Sequence, residues 1–401
     1  MTAKDLSKAT VLIAGGGTGG HIMPALAVCQ ALVRKGIPEG SIEFLGSKNG
    51  QDRKLLQDTK YKLHELNNRP LNRKLNKDLF LAIILMFRSL IGGFKKVKEI
   101  NPNVVVAVGG FASVPGIIGA KLNGIPIVQI NLDKAPGLAV RFGSRFAQVV
   151  ADGFTETGLS RSVFVGIPIR SDIADTVGKR AKLTKEMSRE IYLKLGLTDL
   201  EAYKAQESGV ALSESTKTVV LMGGSLGAKA LNDLGLELAA KLNLKSGDHG
   251  NETAKIVVYH IAGNRGINEI IFENDTPDNY LLKGFEPRMD LLYQVADLII
   301  CRAGASTMAE ILAVGIPSIL IPLPNAPRNH QYFNAKTVEK LGACIVIEQK
   351  DLTVDSLSTV VLDLLKDANR LESMSNNAKK AAAVDAGDKI ADIIISKVRR
   401  N

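Results

Sequence analysis

Val11-Leu12-Ile13-Ala14-Gly15-Gly16-Gly17-Thr18-Gly19-Gly20-His21 decides the fold. A short apolar run ends in a glycine-rich turn, and the helix-like pattern Pro24-Ala25-Leu26-Ala27-Val28 follows. An apolar run without polar alternation suits a strand buried on both faces, which is the habit of parallel sheets. A strand, a glycine turn and a helix start together aim backbone N–H groups and the positive helix end at one spot, where an anion can sit.

The same unit recurs about two hundred residues on as Val219-Val220-Leu221-Met222-Gly223-Gly224-Ser225-Leu226-Gly227-Ala228, leading into Lys229-Ala230-Leu231-Asn232-Asp233. Two further turns of this kind are Val108-Gly109-Gly110-Phe111-Ala112-Ser113 and Cys301-Arg302-Ala303-Gly304-Ala305. Each half of the chain therefore has two turns at strand ends, the edge where open α/β sheets bind ligands. Strands are expected at 10–14, 41–45, 104–108, 127–130, 148–151, 163–165, 218–221, 255–260, 298–301, 318–321 and 344–347. Their alternation with helical patterns predicts α/β architecture: two Rossmann-like domains facing a cleft. The expected division is an acceptor and membrane-binding domain over 1–170, and a linker over 171–217 with a helix at 186–194. A second Rossmann-like domain follows over 218–380. The end of the chain, 369–399, is helical in pattern, with 381–401 returning toward the first domain.

With 401 residues, 45% of them hydrophobic, the chain can build more than one core. It begins with a polar stretch rather than a signal peptide. No apolar run reaches the ~18 residues of a membrane span. Cys29, Cys301 and Cys344 are odd in number and have no CxxC spacing, which suits a reducing cytoplasm. The net charge of +10 calls for an anionic partner. Much of it lies in 69–98, where eight bases (Arg69, Arg73, Lys74, Lys77, Arg88, Lys95, Lys96, Lys98) face one acid, Asp78, around the apolar run 79–87. That pattern fits the headgroup layer of an anionic membrane, or else a core helix with solvated flanks. Nucleic acid is not expected: aromatics are 5%, and no nucleic-acid motif is present.

Gly15, Gly17 and Gly20 satisfy G-x-G-x-x-G, but the next strand ends Phe44-Leu45-Gly46 without the acid that would hold a dinucleotide ribose. His21 follows the turn at a helix start, where the positive helix end favours a neutral, proton-accepting imidazole. Glu310, among apolar neighbours, can accept two hydrogen bonds from a vicinal diol. Asn329-His330-Gln331 places polar groups at a helix start. No Asp-x-Asp and no metal-ligand spacing is present, so no metal or cofactor is expected. A diphosphate leaving group would be stabilised by helix ends, Ser225 and arginines.

Taken together, these segments resemble the MurG family: membrane-associated transferases that add N-acetylglucosamine to undecaprenyl-diphosphate-linked muramyl peptide, turning lipid I into lipid II. The resemblance rests on Gly16-Gly17-Thr18-Gly19-Gly20-His21, Gly109-Gly110-Phe111-Ala112-Ser113, Gly223-Gly224-Ser225-Leu226-Gly227-Ala228, Arg302-Ala303-Gly304-Ala305 with Glu310, and Asn329-His330-Gln331. It implies a GT-B fold and a UDP-N-acetylglucosamine site in the second half. There Glu310 would hold the ribose, and Phe285 and Met289 would line the uracil. Arg302 and Ala305 would shape the pocket, Ser225 and Arg170 would meet the diphosphate, and His330 and Gln331 would read sugar hydroxyls. The first half would hold the lipid acceptor through Thr18, Gly19, Gly20, Gly109 and Gly110. His21 would be the base and Asp133 the second choice, and the segment 69–98 would dock on the cytoplasmic face of the membrane.

The sequence departs from the family at Ile130-Asn131-Leu132-Asp133, where His-Glu-Gln-Asn is usual, and at Ile167, where Asn is usual. Both changes bear on the acceptor. They leave open another lipid acceptor such as diacylglycerol, or a non-catalytic UDP-sugar-binding or membrane-recruiting subunit.

Overall fold

The computed structural model describes residues 3–67, 77–197, 216–224, 227–246, 255–270 and 276–399. The chain forms two compact units, Met1–Ser171 with Ala383–Asn401, and Asp172–Ala382. The first holds β1 (Val11–Gly15), β2 (Ile42–Ser47), β3 (Lys62–Leu66), β4 (Val104–Gly109), β5 (Ile127–Asn131), β6 (Val149–Asp152) and β7 (Ser162–Phe164). They make one parallel sheet in the order β3-β2-β1-β4-β5-β6-β7. The second holds β8 (Lys217–Met222), β9 (Ile256–Ile261), β10 (Tyr280–Lys283), β11 (Leu298–Cys301), β12 (Ser318–Leu320) and β13 (Cys344–Val346). Its parallel order is β10-β9-β8-β11-β12-β13.

The central strands β1 and β4 are buried at every position, as their unbroken apolar runs require. Leu12, Val105, Ile117 and Ile127 belong to the first core. Val219, Leu221, Val258, Leu298 and Ile319 belong to the second, covered by Leu357 and Val361 of the helix Val354–Lys366. Full burial of each such side chain contributes about 1.5–3 kcal/mol. A change of a central valine to a polar residue would therefore remove more than most single interactions supply.

Two strands were not expected from sequence. β3 and β10 are both edge strands, and β3 (Lys-Leu-His-Glu-Leu) has no fully buried position. An edge strand needs little apolar surface, so its run carries no strong signal. The terminal pattern 369–399 is two helices, Ala368–Ala381 and Ala386–Lys397. The break falls where the chain passes from the second unit back to the first, and Ala382 takes an extended backbone there. The last helix packs on the helix Gly19–Arg34, with Arg34 paired to Asp388 at 2.8 Å and Lys35 to Asp392 at 2.7 Å.

The described part of the segment 171–217 packs on the second unit. Its helix Lys185–Leu195 lies against the helix Met289–Val295, and the Tyr192 and Thr218 hydroxyls are 3.2 Å apart. Arg180 donates to the Ala296 carbonyl and lies 3.9 Å from Asp297, while burial pulls its pKa down.

Candidate active site

In each unit the strand order reverses between two adjacent strands, and the glycine turns leave those strands. β1 and β4 are neighbours and deliver the turns at 15–20 and 109–110. β8 and β11 are neighbours and deliver Gly223-Gly224 and Arg302-Ala303-Gly304. Such a switch point is where an open α/β sheet leaves a crevice at its carboxyl edge.

In the first unit, Thr18 is the N-cap of the helix Gly19–Arg34, and its side chain caps nothing. Its hydroxyl lies 3.0 Å from His21 Nδ1 instead. The His21 ring reaches across to the second turn. A Cβ on Gly109 would lie 3.0 Å from His21 Cδ2, and Gly110 faces the same ring. Gly109 and Gly110 have φ of 98° and 72°, so glycine is required here by backbone and by the close ring together. Thr18, Gly19, Gly20, His21, Gly109 and Gly110 thus share one switch point.

Asp133 lies just past β5, on the far side of β4 from β1. Strand spacing puts the β1 and β5 axes about 10 Å apart. The loop is held by Asn131, whose Nδ2 donates to the Asp133 carbonyl and to Asp152 Oδ1, both at 2.8 Å. Asn131 and Asp152 are register partners on β5 and β6. Asp152 is fully buried and also accepts from Phe154 N at 3.2 Å, from the Ser162 hydroxyl at 2.8 Å and from the Thr157 hydroxyl. A carboxylate on β6, matched to an amide on β5, fixes the altered loop.

In the second unit Ala305 opens the helix Ala305–Val314, and Gly304 provides no side-chain cap. First-turn N–H groups of such a helix suit a diphosphate. Glu310 lies one turn further, partly exposed, and its Oε2 accepts from the Tyr293 hydroxyl at 3.1 Å. Arg302 is almost wholly buried. Its Nη1 donates to the Ile321 and Pro322 carbonyls at 3.2 and 3.3 Å, and its Nη2 to Gln349 Oε1 at 2.7 Å. Arg302 therefore ties the end of β11 to the chain leaving β12, and burial lowers its pKa. Phe285 follows β10 and is 58% exposed, and Met289 starts the next helix.

The loop after β12 holds Asn325, Arg328 and Asn329 in left-handed backbone. It is closed by Gln331 Oε1, which accepts from Leu323 N at 2.9 Å. His330 Nδ1 lies 2.8 Å from the Pro327 carbonyl, so Nδ1 carries the hydrogen and the neutral ring keeps Nε2 as an acceptor. Arg170 is the penultimate residue of the first unit's main segment. Ser225 lies outside the described residues.

Sequence reasoning missed three groups. Tyr293 bonds Glu310, 17 positions away, and Asp52 accepts from Gly17 N, 35 positions away. The third is a buried chain in the second unit. Asn232 Nδ2 donates to the Ala262 carbonyl at 3.0 Å, which turns Oδ1 toward His260 Nε2 at 3.2 Å. His260 Nε2 must then carry the hydrogen, and Nδ1 accepts from the Tyr280 hydroxyl at 2.5 Å. Desolvation pushes the His260 pKa down to about 4, in keeping with this neutral tautomer.

Of the basic segment, 69–76 lies outside the described residues. The helix Lys77–Ile100 follows, and no described helix is long and apolar enough to cross a membrane. Phe87, Ile91 and Lys95 are exposed at i, i+4 spacing, on one stripe. The side chains of 77–86, which include most of the apolar run, lie outside the described residues.

Two units built on parallel sheets, each with paired glycine turns at its switch point, define the GT-B class of nucleotide-sugar enzymes. The fold matches a crystal structure of Acinetobacter baumannii MurG with a TM-score of 0.70 at 24% identity, covering 97% of this chain and 99% of that one. It also matches UDP-GlcNAc 2-epimerase from Neisseria meningitidis, with a TM-score of 0.61 at 13% identity, covering 96% and 100%. The family models for the glycosyltransferase family 28 N-terminal and C-terminal domains match residues 11–152 and 218–390. The chain belongs to the MurG family of glycosyltransferase family 28. It is 33% identical to the UDP-N-acetylglucosamine–N-acetylmuramyl-(pentapeptide) pyrophosphoryl-undecaprenol N-acetylglucosamine transferase of Acidothermus cellulolyticus, covering 96% of both chains. It is 32% identical to the protein of the same name from Acetivibrio thermocellus, covering 96% and 97%. Gly223-x-Ser225-x-Gly227 also has the spacing of a hydrolase nucleophile elbow, and this full-length relationship decides for a transferase.

Proposed function

We propose that this chain transfers N-acetylglucosamine from UDP-N-acetylglucosamine to undecaprenyl-diphosphate-linked muramyl peptide, converting lipid I to lipid II. The observation that carries the reading is the near-complete match, at 31–33% identity, to relatives whose names state this transfer. The donor occupies the second unit. Glu310 holds the ribose diol, Phe285 and Met289 line the base, and the start of the helix Ala305–Val314, with Ser225 and Arg170, receives the diphosphate. Gln331 and His330 contact the sugar. The acceptor diphosphate lies at the switch point of the first unit.

The reaction is a single displacement. An acceptor hydroxyl attacks the anomeric carbon, its proton passes to His21, and UDP leaves with the bonding electrons. The α-linked donor becomes a β-linked product. Thr18, at 3.0 Å, orients the His21 ring, and Asp133 is the alternative base. The protein sits on the cytoplasmic face of the membrane through 69–98, and the exposed Phe87–Ile91–Lys95 stripe supports that placement. A second reading, a different lipid acceptor, is favoured by the altered Asn131–Asp133 loop alone. A transfer assay with labelled UDP-N-acetylglucosamine tests both. Product with a lipid I analogue and none with diacylglycerol supports the first reading. The reverse supports the second, and UDP binding without turnover would leave neither standing.

A further inference from the structure

Asp52 is absent from every motif above, yet its carboxylate lies under the first glycine turn. It is 1% exposed. Oδ2 accepts from Gly17 N at 2.8 Å, and Oδ1 from Ser47 N at 3.3 Å. Gln51 N donates to the Gly17 carbonyl at 3.2 Å, so the segment grips both polar groups of that residue. Glycines from three separate places enclose the carboxylate: a Cβ on Gly16, Gly46 or Gly50 would overlap its atoms. Burial raises the Asp52 pKa, opposed by the hydrogen bonds from Gly17 and Ser47.

Part of the glycine richness that reads as a phosphate cradle is therefore the housing of an internal anion. The Gly17 N–H is already engaged by the protein. Two residues past the bonded Gly17 comes the helix start that carries His21, and the intervening Thr18 touches the His21 ring.

We propose that Asp52 is the positioning residue of the acceptor site. It fixes the Gly15–Gly20 turn from beneath and thereby sets where His21 meets the acceptor hydroxyl. This rests on the transfer reaction proposed above. Asp52 contacts no substrate. It acts through Gly17, and a misplacement of about 1 Å at a reacting group can cost about a hundredfold in rate.

The test compares parent, Asp52→Ala, Asp52→Asn and Gly46→Ala. Gly46→Ala keeps the carboxylate but crowds its Oδ1 from β2 rather than from a residue of the turn. Three quantities are measured: UDP affinity by calorimetry, transfer kinetics with a lipid I analogue, and the His21 imidazole resonances by NMR, assigned with His21→Gln. UDP affinity should stay at the parent value, showing an intact second unit. The Asp52→Ala rate at saturating donor and acceptor should fall about tenfold or more, with shifted His21 resonances. Asp52→Asn should recover part of both, because its amide oxygen can still accept from Gly17 N. Gly46→Ala should move in the same direction as Asp52→Ala, which covers the case in which the alanine variant fails to fold. Parent-like rates and unshifted His21 resonances in folded Asp52→Ala and Gly46→Ala would overturn the proposal. A parent that transfers nothing to lipid I would sink the functional reading instead, and the resonances would still decide the role of Asp52.

Discussion

Tyr293, buried in the second unit, donates its hydroxyl to Glu310 Oε2 at 3.1 Å, across two helices that pack side by side. The bond holds one oxygen of the carboxylate proposed to bind the ribose and so limits the rotamers of this partly exposed side chain.

The proposed donor site can be tested through that bond. Glu310→Ala should weaken UDP binding by roughly 2–3 kcal/mol, since a charge-assisted contact to two hydroxyls is lost. Tyr293→Phe keeps the carboxylate but removes this hydrogen bond, and should cost about 1 kcal/mol, near fivefold in Kd. Calorimetry with UDP on both folded variants checks the order. Unchanged affinity in Glu310→Ala would remove it from the ribose site.

His21 should govern rate rather than donor affinity. His21→Ala is expected to cut turnover by ~10²–10⁴-fold and to spare UDP binding. The parent rate should fall on the acidic side as the imidazole takes up a proton and stops accepting. Initial rates across acceptor concentration and pH decide. A near-normal maximal rate in His21→Ala would move the base role to Asp133.

The proposed membrane attachment can be tested separately from folding. Changing Arg73, Lys74, Lys77 and Lys95 to glutamine should reduce sedimentation with anionic vesicles, and salt should weaken binding of the parent. Phe87→Ser with Ile91→Ser should weaken binding too, but with little change in salt dependence, because those side chains contribute apolar burial. Equal sedimentation of all variants would argue for a helix face covered by protein.

His260 gives the fold a measurable pH dependence. Its folded pKa of about 4 lies below the ordinary value of 6.5. The unfolded chain therefore binds the proton first as pH falls. The associated stability is fully present above about pH 6.5 and is lost progressively down to about pH 4, amounting to about 3 kcal/mol. Urea melts of the parent between pH 7.5 and 4.5 should show this slope, and His260→Gln should flatten it. An equal slope in both proteins would assign it to other groups.

The loop Asn131–Asp133 shows how little of its environment can be read locally. Asn131 and Asp152 are 21 positions apart, and nothing in their own segments links them. Pairing of β5 with β6 places them opposite each other and makes Asn131 the holder of Asp133. Arg302 is similar: its place in the glycine motif does not reveal that its guanidinium spans the exits of two strands and reaches Gln349.

The sequence by itself determined the α/β class, most of the strands, the four glycine turns and the family. Each is written in short-range patterns: apolar runs of strand length, glycine at chain reversals, helical spacing between them. Only the tertiary structure decided which strands are neighbours, and hence that the four turns meet as two pairs. It alone showed the weakly marked edge strands β3 and β10, the return of the helix Ala386–Lys397 onto Gly19–Arg34, and the burial of Asp52 under Gly16 and Gly17. Those outcomes depend on packing between segments tens to hundreds of residues apart. A residue's local pattern records whether it is buried, but not against what.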